Sequence, residues 1–360
     1  MSLFKDSDDE KRELGIDSEE HKFKYRGSKK YLYGKDLKPE DRKHLKKPKK
    51  PWSRKERLLV LLTLIITSGT SGFLALSARS WKLPGLPRLA ISRFSIPFFS
   101  EETIVLEGNR VDQEKGRKII SEFKEKTKSL SGVYGLYIVH LDSGYSFGVN
   151  ENEIFQAASL IKLPVMSTMY KRYDTKNLDL DERYVLKDSD KVAGSGSFFN
   201  KPGGYQITYR NLLLLMGKQS DNTAFKIART LLGDDFIQRE IDTIGMVSTD
   251  LKKNETTPKD IGIFFEELWK GNIVSPRARD DILDSLTDTI YEDWLAAGIP
   301  KEVRVAHKFG REVHVINDAG IVFSKNPYVV VIMSKGILEK EADEIIPKIA
   351  RIIYEIENKD

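Results

Sequence analysis

The stretch QAASLIKLPVMSTMYKRY, residues 156–173, is where the reading of this chain begins. Residues 159–173 read as one helix, with Ser159 and Lys162 three positions apart. Residues three apart share a helical face, so the amine of Lys162 can lie beside the hydroxyl of Ser159. A serine is a weak nucleophile until a neighbour takes its proton. A lysine can take it only when neutral, which needs burial or nearby positive charge. Backbone amides at a helix start also favour developing negative charge. Taken alone, this spacing describes an ordinary helix with an exposed lysine just as well.

Two further short motifs follow in order. Ser220-Asp221-Asn222 opens a helix expected over 220–232, where Ser220 or Asp221 would serve equally as a plain N-cap. Lys308-Phe309-Gly310 stands just ahead of the last strands, where a solvated edge with a bulge is the plain alternative. Around the motifs, apolar spacing predicts a first helix over 112–130, with Ile119, Ile120, Phe123, Thr127 and Leu130 on its buried stripe. A hairpin follows over 133–141 and 145–149, turned by Asp142-Ser143-Gly144. Helices are expected at 209–216, 259–269 and 277–289, then strands at 313–316, 320–324 and 328–334. The last helix carries Ile345, Ile346, Ile349, Ile352, Ile353 and Ile356 on one face, with Pro347 either kinking or starting it. Strands at both ends with helices between them predict an α+β fold. One antiparallel sheet would join the hairpin to the late strands, and the middle helices would form a layer of their own.

In this order, S-x-x-K, S-D-N and a K-x-G resemble the active-site set of the penicillin-recognising serine hydrolases. Gln156-Ala157-Ala158-Ser159, Gly194-Ser195-Gly196, Gln219-Ser220-Asp221-Asn222-Thr223-Ala224 and Thr256-Thr257-Pro258-Lys259-Asp260 look specifically like class A β-lactamase landmarks. The resemblance covers about 104–356. It implies the β-lactamase/transpeptidase-like fold, an antiparallel sheet packed with helices beside an all-helical subdomain, with the site between them. It implies Ser159 as the acylated nucleophile and Lys162 as its proton acceptor. Ser220 would relay a proton to the leaving nitrogen, and Lys308 would hold positive field near Ser220 and the substrate carboxylate. Asn222 would bind the substrate's acylamide side chain, Gly310 and Arg311 would also line the substrate site, and the amides of Ser159 and Arg311 would form the oxyanion hole. Such a donor contributes roughly 3–4 kcal/mol to transition-state binding.

The chain departs from the family pattern twice. Phe309 replaces the hydroxyl residue of K-T-G, which leaves Arg311 as a substitute partner for a carboxylate through a charge-assisted pair. No E-x-x-L-N is present, and residues 245–255 lead directly into Thr256-Thr257, so the loop that carries the deacylating glutamate looks shortened. Glu255 is either a substitute base or a solvated turn residue. Without a deacylation base, an acyl-enzyme should form and persist.

Charge is unevenly spread. The net charge is +5 over 360 residues, but residues 1–57 hold 19 basic against 12 acidic side chains, and the remainder is acidic by two. An uncharged run over 58–78 follows at once, long enough for one bilayer-spanning helix. A cleavable signal peptide fits less well after a 57-residue lead. The expected organisation is a basic, disordered cytoplasmic tail (1–57), a transmembrane signal anchor (58–78), a stalk (79–103) and one extracytoplasmic catalytic domain (104–360). The basic flank sets the orientation and would meet anionic lipid. The domain is expected to act as a monomer.

Cysteine is absent, which excludes disulfides, thiolate metal sites and a cysteine nucleophile. His21, His44, His140, His307 and His314 have no ligand spacing, so no metal is expected. No phosphate-binding glycine motif is present, so no nucleotide cofactor is expected. The basic run could bind nucleic acid, but the apolar segment that follows it at once argues for a membrane instead, so no nucleic acid is expected. The leading expectation is a membrane-anchored serine hydrolase that opens β-lactams. A D-alanyl-D-alanine peptidase acting on peptidoglycan peptides is one alternative, and a penicillin-binding sensor or wall-binding module without turnover is another.

Overall fold

The computed structural model describes residues 110–359, and separately 55, 60–64, 66–68 and 70. Most of the expected span over 58–78, and the tail and stalk, lie outside the described residues. Where described, 60–64, 66–68 and 70 are helical and exposed. Among the described residues no helix is long and apolar enough to cross a membrane.

In the main unit, α1 (Arg110–Thr127) precedes β1 (Val133–His140) and β2 (Ser146–Val149). The short β3 (Phe155–Gln156) leads through a 3-10 turn (Ala158–Ile161) into α2 (Lys162–Asp174). A small ladder, β4 (Arg183–Val185) with β5 (Gln206–Thr208), precedes α3 (Tyr209–Lys218), α4 (Asn222–Leu232) and α5 (Asp234–Ile244). Then come β6 (Glu255–Thr256), α6 (Pro258–Lys270) and α7 (Pro276–Ser285). The chain closes with β7 (Val305–Glu312), β8 (Val315–Val322), β9 (Tyr328–Lys335) and α8 (Glu339–Glu357).

The five-stranded sheet has the order β2-β1-β9-β8-β7 and is antiparallel throughout. Side chains alternate between its faces. On β9, Val330 and Ile332 join the core beneath α1 and α8, while Val329, Val331 and Met333 join the core shared with the middle helices. Both faces are therefore covered: β8 is buried along its whole length, Asn317 and Asp318 included, and β9 reads as a nearly unbroken apolar run.

Local signals set the helix ends. Thr208, Asp221, Thr257 and Ser275 cap α3, α4, α6 and α7 by accepting backbone amides, and Pro258 and Pro276 stand in the first turns. Pro347 lies inside α8, which begins well before it. The 3-10 turn Ala296–Gly298 packs against this point so closely that a Cβ on Gly298 would meet the Pro347 carbonyl at 2.3 Å.

The α+β expectation therefore holds for the sheet and helices. Three boundaries and one omission need correction. The K-x-G motif lies inside the first late strand, not ahead of it, and 313–316 spans the β7–β8 turn. Helix α5 has no counterpart among the expected elements. The helix expected over 277–289 ends at Ser285.

Candidate active site

Ser159 lies in the 3-10 turn Ala158–Ile161, and Lys162 is the first residue of α2. The preceding segment is fixed to the sheet. Asn317 of β8 donates to the carbonyls of Gln156 (2.8 Å) and Ala157 (3.3 Å), and its own carbonyl accepts the Ser334 amide. Ala157 in turn donates to the Asn254 carbonyl at 2.7 Å. The Ser159 turn is therefore held by the sheet on one side and by the 245–257 loop on the other.

Lys162 is 2% exposed. Its Nζ lies 3.2 Å from Ser159 Oγ, 3.2 Å from Ser220 Oγ and 2.8 Å from Asn222 Oδ1, and it also contacts the Ser220 carbonyl. Burial pulls its pKa down to about 7, against the opposing pull of Asp221. An ammonium has three protons. With four oxygens around Nζ, the neutral amine can turn its lone pair to one of them, and Ser159 Oγ is within reach.

Ser220 is wholly buried and adopts a positive φ of 54°, so the motif is a tight turn before α4. Asp221 caps α4 through Ala224 N at 2.8 Å and also accepts Phe198 N at 2.8 Å. The loop carrying Gly194, Ser195 and Gly196 wraps this carboxylate. A Cβ on Gly196, at φ 84°, would meet Asp221 Oδ2 at 2.1 Å. Asn222 uses both ends of its amide, accepting from Lys162 and donating to the Ala193 carbonyl at 3.2 Å. Gln219 accepts from the backbone and hydroxyl of Ser197, and its carbonyl accepts the Ser195 hydroxyl.

The third motif approaches from the sheet. Lys308 is 1% exposed and donates to the Phe309 carbonyl at 2.9 Å. Burial, then the nearby Lys162, holds its pKa well below the usual lysine value, with Asp318 pulling the other way. A Cβ on Gly310 would lie 2.9 Å from the Ser159 amide, so only glycine lets the strand pass this close. β7 is the edge strand, and His307 donates away from the sheet to the Leu286 carbonyl. Amide direction alternates along an antiparallel strand, so the Arg311 amide points to that same open edge. The Arg311 side chain turns outward and pairs with Glu339. It does not supply the compensating charge expected in place of the missing hydroxyl.

Phe309 is buried on the opposite face of β7, between Tyr291 and Trp294. Its neighbour His307 is also fully buried, with Nδ1 2.8 Å from Asp318 and Nε2 3.2 Å from Glu292. Burial opposes its charge, but the two carboxylates prevail and raise its pKa to about 10.

The 245–257 loop is short and tightly held. Asp260 accepts Ser248 N and Thr249 Oγ1, each at 2.8 Å, and Met246 and Leu251 are buried. Glu255 lies in β6 opposite Gln156. Among the described residues no three His, Asp or Glu side chains are grouped to hold a metal ion.

The structure thus gathers Ser159, Lys162, Ser220, Asn222, Lys308 and Gly310 at one place, with the Arg311 amide on the adjoining edge. Sequence reasoning missed Ser195, Ser197, Tyr291 and Asn317 as framework of the site. Only the Gly194-Ser195-Gly196 signal pointed to any of them.

The family model of the beta-lactamase enzyme family matches residues 117–356. The curated beta-lactamase SME-1 of Serratia marcescens is 23% identical over 263 residues, covering 64% of this chain and 86% of that protein. The solved structure of the protein PBP-A is 28% identical with a TM-score of 0.61, covering 69% of this chain and 95% of that one. A mutant of PBP-A, 27% identical, was solved as an acyl-enzyme complex with penicillin G. A beta-lactamase structure from Sphaerobacter thermophilus is 25% identical with a TM-score of 0.63, covering 66% of this chain and 95% of that one.

Proposed function

Because the chain belongs to the beta-lactamase enzyme family, we propose that it is a serine hydrolase acting on β-lactams through an ester of Ser159. The observation that carries this reading is the buried Lys162 amine, 3.2 Å from both Ser159 Oγ and Ser220 Oγ. Neutral Lys162 takes the Ser159 proton as Oγ attacks the lactam carbonyl. The oxyanion forms against the amides of Ser159 and Arg311. On collapse the C–N bond breaks, and Ser220 gives its proton to the departing nitrogen while Lys162 returns one to Ser220. The product is an acyl-Ser159 ester with the ring open.

Water must then release the acyl group. The short 245–257 loop carries no E-x-x-L-N glutamate for this step, so acylation outruns hydrolysis. This observation, together with the likeness to PBP-A, favours as second reading a penicillin-binding peptidase that cleaves D-alanyl-D-alanine peptides through the same serine. Incubating the purified full chain with penicillin G, and following intact mass and drug concentration together, tests both. A mass gain of one penicillin on Ser159 that decays slowly is expected, and Ser159→Ala abolishes it. Rapid loss of drug with no adduct would show efficient deacylation; no adduct and no drug loss would remove Ser159 from β-lactam chemistry.

The basic run before residue 58 and the uncharged run over 58–78 support anchoring by one span, with the catalytic domain outside the cytoplasm.

A further inference from the structure

Phe309 leaves the strand without the hydroxyl that K-T-G would present, yet Lys308 remains a buried amine. Among the described residues no carboxylate lies within ion-pair distance of it, and its Nζ donates to a backbone carbonyl. A buried amine without a counter-ion holds a proton more readily once an anion lies beside it. A further hydroxyl comes from the segment that packs against Phe309. Lys308 Nζ stands 4.7 Å from the centroid of the Phe309 ring, and the Tyr291 ring lies 3.7 Å from that same centroid. The hydroxyl of Tyr291 reaches 3.0 Å from Ser195 Oγ, on the S-D-N side of the cleft. Ser195 spends its single proton on the Gln219 carbonyl at 3.1 Å. Tyr291 is therefore the donor in the Tyr291–Ser195 bond, and it links Phe309 of β7 to the loop that wraps Asp221.

The tyrosine is held rigidly. His307, charged between Asp318 and Glu292, pins both ends of its segment. Glu292 accepts the amide and hydroxyl of Thr289, and Asp318 accepts the Leu295 amide at 2.9 Å. The Ile290 amide donates to the Lys218 carbonyl, and the Tyr291 amide to Thr289 Oγ1.

We infer that Tyr291 is a specificity-determining residue, whose hydroxyl meets the substrate's carboxylate together with Lys308. This rests on the reading of Ser159 as the acylated nucleophile. The exchange is favourable because a hydrogen bond to a carboxylate is roughly twice as strong as one to a neutral hydroxyl. Tyr291 would give its proton to the carboxylate in place of Ser195, with no bond made or broken. The ring stays packed against Phe309.

The test compares penicillin G with its methyl ester, which keeps the lactam and removes the negative charge, on the full chain and on Tyr291→Phe. A neutral fluorophosphonate that phosphonylates serine with loss of fluoride serves as a check on Ser159. The wild-type chain should acylate faster with the acid than with the ester, and Tyr291→Phe should cut that preference roughly tenfold, through weaker binding of the acid. The proposal is overturned if acid and ester rates fall together, which marks a structural role, or if the preference is unchanged. If the fluorophosphonate labels Ser159 and neither penicillin does, the β-lactam reading fails and takes the proposal with it. If no reagent labels Ser159, the nucleophile assignment itself has failed.

Discussion

Lys162 is surrounded by four oxygen atoms and is held near pKa 7 by burial. Its free base accepts the serine proton, so the acylation rate constant should rise with pH through about 7 and then level off. A stopped-flow pH profile of acylation checks this, and a rate flat from pH 6 to 9 would deny Lys162 the role of base. Gly310 is the second decisive residue. Its missing Cβ admits the strand to within 2.9 Å of the Ser159 amide. Gly310→Ala should displace the nucleophile turn and slow acylation roughly hundredfold, since a misplacement near 1 Å is known to cost that much. The far-ultraviolet dichroism of the variant should stay unchanged, because β7 keeps its ladder with β8. Both residues were legible in sequence as members of S-x-x-K and K-x-G. Their reasons were not, because burial and close approach are properties of packed neighbours.

Strand β7 shows why an element can be missed. It carries His307, Lys308, Arg311 and Glu312 among its eight residues, so it lacks the apolar alternation that marks a strand. His307 and Lys308 are nevertheless buried on opposite faces, His307 answered by Asp318 and Glu292 from elsewhere in the chain and Lys308 by the adjacent Phe309 carbonyl. The His307 clamp has a stability consequence. Its folded pKa of about 10 lies above the value of 6.5 for an unperturbed imidazole. Its contribution is therefore fully present below pH 6.5 and is lost as pH rises through about 10. Thermal melts of the wild type should fall across that window more steeply than those of His307→Gln, whose amide does not titrate. Equal slopes would mean that His307 is not charged in the folded protein. Helices α3, α4 and α6, by contrast, lie close to where they were expected, and in the structure Thr208, Asp221 and Thr257 cap their starts through neighbouring backbone amides.

At the scale of the whole molecule, the sheet brings together three motifs that are about sixty and ninety residues apart in sequence. β7 ends the sheet, the nucleophile turn packs against it, and the S-D-N turn closes from the helical side. The site exists only where these layers meet. The charge division of the chain also belongs to this scale. If the uncharged run over 58–78 anchors the protein, the full chain should sediment with membranes and resist extraction by high salt, yet dissolve in detergent. Release by salt alone would reduce the basic run to a peripheral lipid contact.

The sequence by itself determined the α+β class, the order of the three motifs, the hydroxyl nature of the nucleophile and the absence of the usual deacylating glutamate. Each of these follows from residue identity and short-range spacing. Only the tertiary structure decided that Lys162 is buried enough to act as a base, that Arg311 turns away to Glu339, and that Phe309 faces a second core. It also decided that Tyr291 reaches across the cleft. These depend on which side of a strand faces which layer, and on partners that are distant in the chain. Local spacing does not encode those contacts, and burial and long-range pairing create them.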